Sequence, residues 1–257
     1  MRCKWETALT TRRNTGFWRN NQSYWAYGGF RINPKKSSSF QSLGAQFYSD
    51  KEGIYLHRYR AYLLYAYHVA LNNHWTLSSG LSLGMMTYQV GNNDYEGGTD
   101  NTWDGSLGIM LYNKTFYGGF SISQLPENKV QPIEENTILS RYAQFTFGKE
   151  FELGEMYSVK SGMNARVFGN PSKLDIFAKT GIIWNKTIGL YGIYRWNKQV
   201  SCMLGIEKLE IDGMQFRTYF SYDIATNGDS RYRAFELTLQ YLMPEKVKTK
   251  SKTKKKK

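Results

Sequence analysis

The sequence predicts an all-β protein, an antiparallel transmembrane β-barrel of about fourteen strands. Three observations predict it: an aromatic- and glycine-rich composition, period-2 alternation of apolar with small or polar residues, and a contrast between tight turns and long polar connections. Aromatic residues make up 16% of the 257, with 20 Tyr, 14 Phe and 7 Trp beside 24 Gly and only 5 Pro. That mixture suits pleated, half-buried surfaces and is poor for helix bundles. The length fits a single closed unit, because barrels routinely fill it. Mean hydropathy is −0.56, and no apolar run approaches the roughly 18 residues of a transmembrane helix. This does not exclude a membrane, because transmembrane strands alternate lipid-facing and lumen-facing residues and so resemble soluble protein on average.

Strands are expected at 2–12, 23–33, 42–50, 56–71, 74–90, 102–113, 115–126, 139–153, 155–169, 172–185, 187–197, 199–210, 213–225 and 232–243. Each is ended by Asn, Asp, Gly, Lys or Pro clusters. In HWTLSSGLSLGMMTYQV, Leu77, Leu81, Leu83 and Met85 share one face while Ser78, Gly80, Ser82 and Gly84 share the other. Leu107, Ile109 and Leu111 alternate with Ser106, Gly108 and Met110. The last strand repeats the pattern, with Phe235, Leu237, Leu239 and Tyr241 against Glu236, Thr238 and Gln240.

A soluble sandwich also alternates, so the connections discriminate. After even-numbered strands they are mostly tight (LNN near 72, Asn113 to Lys114, Leu153 to Gly154, Lys186, Asp212), NPKKSSSFQ being the exception. After odd-numbered strands they are mostly long and polar (RNTGFWRNNQ, DKEGIY, GNNDYEGGTD, ENKVQPIEENTI, TNGDSR), with WNKQ the exception. Short periplasmic turns and long extracellular loops are the outer-membrane arrangement. An even strand number then places both termini in the periplasm. Trp25, Tyr27, Tyr65, Tyr67, Trp75, Trp103, Tyr112, Tyr117, Trp184, Tyr194, Trp196, Tyr219 and Tyr222 lie near strand ends, where aromatic girdles are expected.

Two segments follow: a barrel over 1–243 and a disordered, lysine-rich periplasmic tail over 244–257. Residues 245–257 (EKVKTKSKTKKKK) hold eight Lys against one Glu, so +7 of the formal +13 charge resides there. Such a run is a solvated extension, and Lys254, Lys255, Lys256 and Lys257 are its candidate contacts with an anionic periplasmic partner. Nucleic acid is not expected as a partner, because the aromatic residues are committed to strands. From Met1 to Arg13 there is charge but no apolar core of a secretory signal, which leaves three alternatives: the chain begins downstream of the true start, the signal was removed and a Met supplied, or the membrane reading is wrong.

No catalytic constellation is legible, and neither metal nor cofactor is expected. Cys3 and Cys202 form no CxxC or Cys/His cluster, and His57, His68 and His74 lack metal-ligand spacing. No motif pairs a histidine with an acid and a serine. His68 reads as a structural residue on an inward face. The phases place Asp175, Lys179, Glu207, Arg217, Asp223 and Glu236 inward as a candidate lumenal polar network, since on the lipid face a cation costs about 2–4 kcal/mol near mid-membrane.

Four blocks carry a resemblance: RYRAYLLYAYHVALNNHWTLSSGLSLGMMTYQV, LGIMLYNKTFYGGFSISQL, IIWNKTIGLYGIYRW and FRTYFSYDIATNGDSRYRAFELTLQYLM. In order and spacing they resemble the PorP/SprF family of outer-membrane proteins associated with type IX secretion and gliding motility. The resemblance implies a non-enzymatic outer-membrane component of the type IX system in a Gram-negative bacterium. It would dock or support surface display of secreted cargo, or link the periplasmic machinery to the outer membrane. The implied partners are other secretion components, such as a periplasmic lipoprotein or peptidoglycan-binding protein, together with cargo and outer-membrane lipid. The family's cleaved signal and the Asn-Pro-Ala-like stretch after it are not found here. A passive pore or small-molecule transporter is the alternative, and a soluble β protein a third reading.

Overall fold

In the computed structural model, residues 3–15, 20–32, 39–92, 95–133, 137–169, 173–196, 199–226 and 233–244 are described. The expected 244–257 tail lies outside them apart from Pro244. The strands are β1 (Cys3–Thr15), β2 (Gln22–Ile32), β3 (Ser39–Glu52), β4 (Leu56–Ala70), β5 (Thr76–Asn92), β6 (Tyr95–Tyr112), β7 (Phe116–Ser123), β8 (Lys129–Val130), β9 (Thr137–Ile138), β10 (Tyr142–Leu153), β11 (Tyr157–Phe168), β12 (Leu174–Trp184), β13 (Ile188–Arg195), β14 (Gln199–Ile211), β15 (Met214–Ala225) and β16 (Arg233–Pro244). Fourteen of them close a barrel in which each hydrogen-bonds to its neighbours in sequence, β1 closes on β16, and β7 pairs with β10. The two-residue strands β8 and β9 form a separate ribbon. The closing seam runs antiparallel from Cys3↔Pro244 to Thr15↔Arg233, so no barrel edge is left open along it.

The tight turns follow from local chemistry. Asn185 and Lys186 have φ of 49° and 54°, and Asp212 and Gly213 have 51° and 74°. Positive φ at both central residues is the type I′ geometry that matches strand twist in two-residue hairpins. Asn113 Oδ1 accepts from the Thr115 and Phe116 amides at 2.8 and 2.7 Å, and Asn72 Oδ1 from His74 and Trp75 at 2.8 Å. Both asparagines thereby satisfy amides that the ladder leaves free.

On the opposite rim the structure departs from expectation. GNNDYEGGTD and DKEGIY, expected as long loops, are largely absorbed into hairpins: β5 runs to Asn92 and β6 starts at Tyr95, while β3 and β4 are joined by residues 53–55. Polar strands above the apolar band pair as well as apolar ones, because the ladder is made by backbone and not by side chains. The rims thus differ in hairpin height and in the 124–141 connection more than in loop length.

Exposed apolar side chains form the outer face: Leu63, Leu83, Ile109, Phe147, Leu190 and Leu204, among others. Leu77, Leu81, Leu83 and Met85 lie on it, while Met86 on the opposite phase is fully buried. Toward the tight-turn rim outward aromatics pair, with Trp5 stacked on Phe30 at 5.9 Å and Phe216 against Tyr241 at 5.3 Å. Tyr222 meets Phe235 at 4.8 Å near the other rim. Five residues expected in these girdles, Trp25, Tyr27, Tyr112, Tyr117 and Tyr219, share register with lumenal positions and point inward. Proximity to a strand end does not set the face; strand parity does.

Inward tyrosines explain the glycine content. The Tyr62 ring covers Gly84, where an added Cβ would lie 2.6 Å from the ring and 2.0 Å from the Ala61 carbonyl oxygen. Tyr117 covers Gly148, and Tyr191 covers Gly181 and Gly189, in the same way. An aromatic laid across a neighbouring glycine compensates the strand weakness of a residue without a side chain.

Candidate functional site: the lumen and its turn-side vestibule

The residues of the expected polar network fall into separate groups. Near the tight-turn rim of β11–β15, Glu207 is buried and accepts from the Lys160 ammonium at 2.9 Å and from the Tyr191 hydroxyl. The ladder between β14 and β15 shifts register between Ile206 and Leu209, a bulge that leaves the Glu207 carbonyl free of the ladder. It accepts from Arg217 Nε at 3.1 Å and Gln215 Nε2 at 3.4 Å. Lys179 joins through ring faces, its ammonium 4.1 Å from the Tyr191 centroid and 5.5 Å from Tyr219. Such contacts favour a cation without a carboxylate partner.

Asp223 and Glu236 lie toward the other rim. There Arg12 bridges them, 2.5 Å from Asp223 and 3.5 Å from Glu236. Asp175 joins neither group. It stands opposite Arg166 in register and makes no ion pair among the described residues. The candidate tail residues Lys254, Lys255, Lys256 and Lys257 lie outside the described residues. Arg12, Lys160 and Tyr191 were missed by sequence reasoning; strand parity on β1, β11 and β13 points all three inward and was the available signal.

The loop-side mouth is narrowed by the 124–141 connection. β7 pairs with β6 only over Ser106–Tyr112, leaving the edge of β6 from Tyr95 to Gly105 without a barrel neighbour. The connection covers part of that edge: the Leu125 amide donates to the Gly105 carbonyl at 3.1 Å, and Asn128 Nδ2 to that of Trp103 at 2.7 Å. Val130 and Leu139 thereby enter the lumen and pack with Met86, Tyr88 and Tyr62.

Among the described residues the tight-turn side is open by contrast. A cavity of about 1110 Å³ lies beneath β1–β7 and is lined by Lys4, Glu6, Arg31, His68, Tyr112 and Lys114, among others. Phe40 is sandwiched there, with His68 stacked on it at 4.1 Å and the Arg31 guanidinium 3.5 Å from its centroid. His68 Nε2 lies 3.1 Å from Ser42 Oγ, and Nδ1 lies 3.2 Å from the Tyr112 hydroxyl. The fold therefore pairs a serine with a histidine that no linear motif had linked. In a nucleophile–base pair a third group orients the base. Here that position is filled by a neutral phenol, and a guanidinium stands one ring away. The arrangement gives both His68 ring nitrogens a hydroxyl partner.

A closed fourteen-stranded antiparallel barrel with an apolar outer face, aromatic pairs near its rims and a polar lumen is an outer-membrane β-barrel. The sequence matches the family described as "Type IX secretion system membrane protein PorP/SprF" over residues 7–241, and the chain belongs to that family. No curated relative matches it. Similar solved structures include the toluene transporter TbuX of Ralstonia pickettii, with 9% identity and a TM-score of 0.59 over 95% of this chain and 90% of that one. The CymD monoaromatic hydrocarbon channel has 9% identity and 0.59 over 95% and 89%. The toluene transporter TodX of Pseudomonas putida has 8% identity and 0.55 over 94% and 89%. At this identity the likeness is one of fold.

Proposed function

We propose that the chain is a non-enzymatic docking component of type IX secretion, holding a partner at the membrane by its barrel rims. It would support display of secreted cargo or link the periplasmic machinery to the outer membrane. The observation that carries this reading is the charged and aromatic-walled cavity that the described residues form at the tight-turn rim of a barrel from a secretion family. Both terminal strands end on that rim, which the outer-membrane arrangement assigns to the periplasm. Deleting the gene and complementing it tests the role: loss of cargo secretion and surface display, restored by the wild-type chain, is expected. Normal export of all cargo would remove the idea.

The lysine run is assigned to an acidic periplasmic lipoprotein or peptidoglycan. Co-purification with and without residues 245–257, at low and high salt, tests it; an association unchanged by the truncation would sink the assignment.

A passive pore is the second reading. It is favoured by the transport functions of the structurally similar barrels and by a lumenal recess of about 340 Å³ walled by Ser78, Ser82, Ser106 and Ser121. Conductance in planar bilayers discriminates, since stable open channels favour transport and silence favours docking.

A further inference from the structure

We infer that the turn-side vestibule is a binding site for an acidic peptide segment of a protein partner, an inference that rests on the docking reading above. Among the described residues its lining carries Lys4, Arg31 and Lys114 against one carboxylate, Glu6, and Glu6 already accepts from Gln240 Nε2 at 2.5 Å. The turns across the barrel are of mixed sign: the β10–β11 and β14–β15 turns bring Glu155 and Asp212, and the β12–β13 turn brings Lys186.

Size and wall chemistry select the ligand class. Clefts that bury a drug-sized molecule measure roughly 300–1,000 Å³, and about 1110 Å³ accommodates an extended segment. The Arg31–Phe40–His68 stack offers a flat aromatic and cationic wall, and Asn72 and Asn113, whose oxygens cap their own turns, line the cavity with amide N–H donors for a peptide backbone. Lipid headgroups fit less well, because Lys4, Arg31 and His68 are on inward phases, away from the bilayer. The chain's own lysine run is excluded as occupant by like charge. It carries +7 over residues 245–257, the same sign as the lining.

The test uses the full chain purified in nonionic detergent and two fluorescein-labelled twelve-residue peptides. One is built from Asp, Glu, Tyr and Gly; its twin carries Asn and Gln in place of the acids. By fluorescence anisotropy the acidic peptide is expected to bind about tenfold or more tightly than its twin, and to weaken as salt rises. Arg31→Glu and Lys114→Glu are each expected to weaken it by about fivefold or more, while Lys173→Glu on the opposite rim leaves it unchanged. Lys114 lies on an exposed turn, so its variant keeps the test valid if Arg31→Glu misfolds. Equal binding of the twin overturns the inference, as does wild-type affinity in the vestibule variants. Binding lost on removing residues 245–257 but untouched by the vestibule variants moves the site to the tail. Displacement of the peptide by phosphatidylglycerol doped into the micelles assigns the surface to lipid. If the peptide fails to bind while gene deletion still blocks secretion, this inference falls and the docking role stands. If it binds while deletion leaves secretion normal, the role falls and the site stands.

Discussion

The Tyr62 hydroxyl donates to Asp104 Oδ2 at 2.6 Å, spanning β5 from β4 to β6 with Gly84 in register between them. The carboxylate is buried, and its second oxygen accepts from the Gly105 amide at 2.7 Å. One aromatic side chain thus covers a glycine and satisfies a lumenal acid, tying three strands together. Gly84→Ala forces a methyl against the ring and the Ala61 carbonyl. A loss of about 1–3 kcal/mol is expected, read as a lowered urea midpoint for the barrel refolded in lipid vesicles.

Burial separates the Glu207 cluster from rim ion pairs. The Glu207 side chain is 7% exposed, whereas Lys208 and Glu210, 3.2 Å apart, are 47% and 55% exposed. Glu207→Ala leaves the Tyr191 hydroxyl without its acceptor and the partly exposed Lys160 ammonium with Glu150 alone, 3.9 Å away, and is expected to cost about 1–3 kcal/mol. Lys208→Ala should cost about 0–1 kcal/mol. The same unfolding measurement compares them, and equal costs would show the lumen to be as wet as the rim.

Leu83 is 62% exposed at the middle of β5, a side chain that only lipid covers. Leu83→Arg is expected to destabilise the vesicle-embedded barrel by about 2–4 kcal/mol. Were that face in water, the change would be close to neutral.

Val130 has no exposed surface and packs with Met86, likewise fully buried. Val130→Glu places a charge in that contact and should expel the segment from the lumen. Trypsin is then expected to cut after Lys129 faster than in the wild-type barrel; unchanged cleavage would show that the segment is held by its backbone contacts to β6 alone.

Much of the fold was legible because a strand buried on one side writes its own period. All fourteen barrel strands lie where alternation and turn residues put them, with ends moved by three residues or fewer except at β6, which starts at Tyr95 and not at 102. The hairpins above the apolar band were less legible. There, Asn92 and Tyr95 to Asp100 lose the apolar alternation, although their backbones still pair. The girdle assignment failed at Trp25 and Tyr27 for a related reason: nearness to an end was read and parity was not.

The candidate site divides in the same way. Inward phase for Lys179, Glu207 and Arg217 followed from counting residues along each strand, a purely local operation. Their partners did not follow. Arg12 reaches Asp223 only because β1 closes onto β16, which in turn pairs with β15; Lys160 reaches Glu207 across β12 and β13. Ser42 meets His68 because the β3–β4 register brings them diagonally together.

The sequence by itself determined the strand number, the face each residue presents and, through its blocks, the family, because these depend on short-range periodicity and order. Tertiary structure alone decided which charges meet, that Val130 and Leu139 of the 124–141 connection enter the lumen at one mouth, and that the described residues at the other line a basic vestibule. Those outcomes depend on closure and inter-strand register, which bring distant residues within a few ångströms and leave no local periodicity to read.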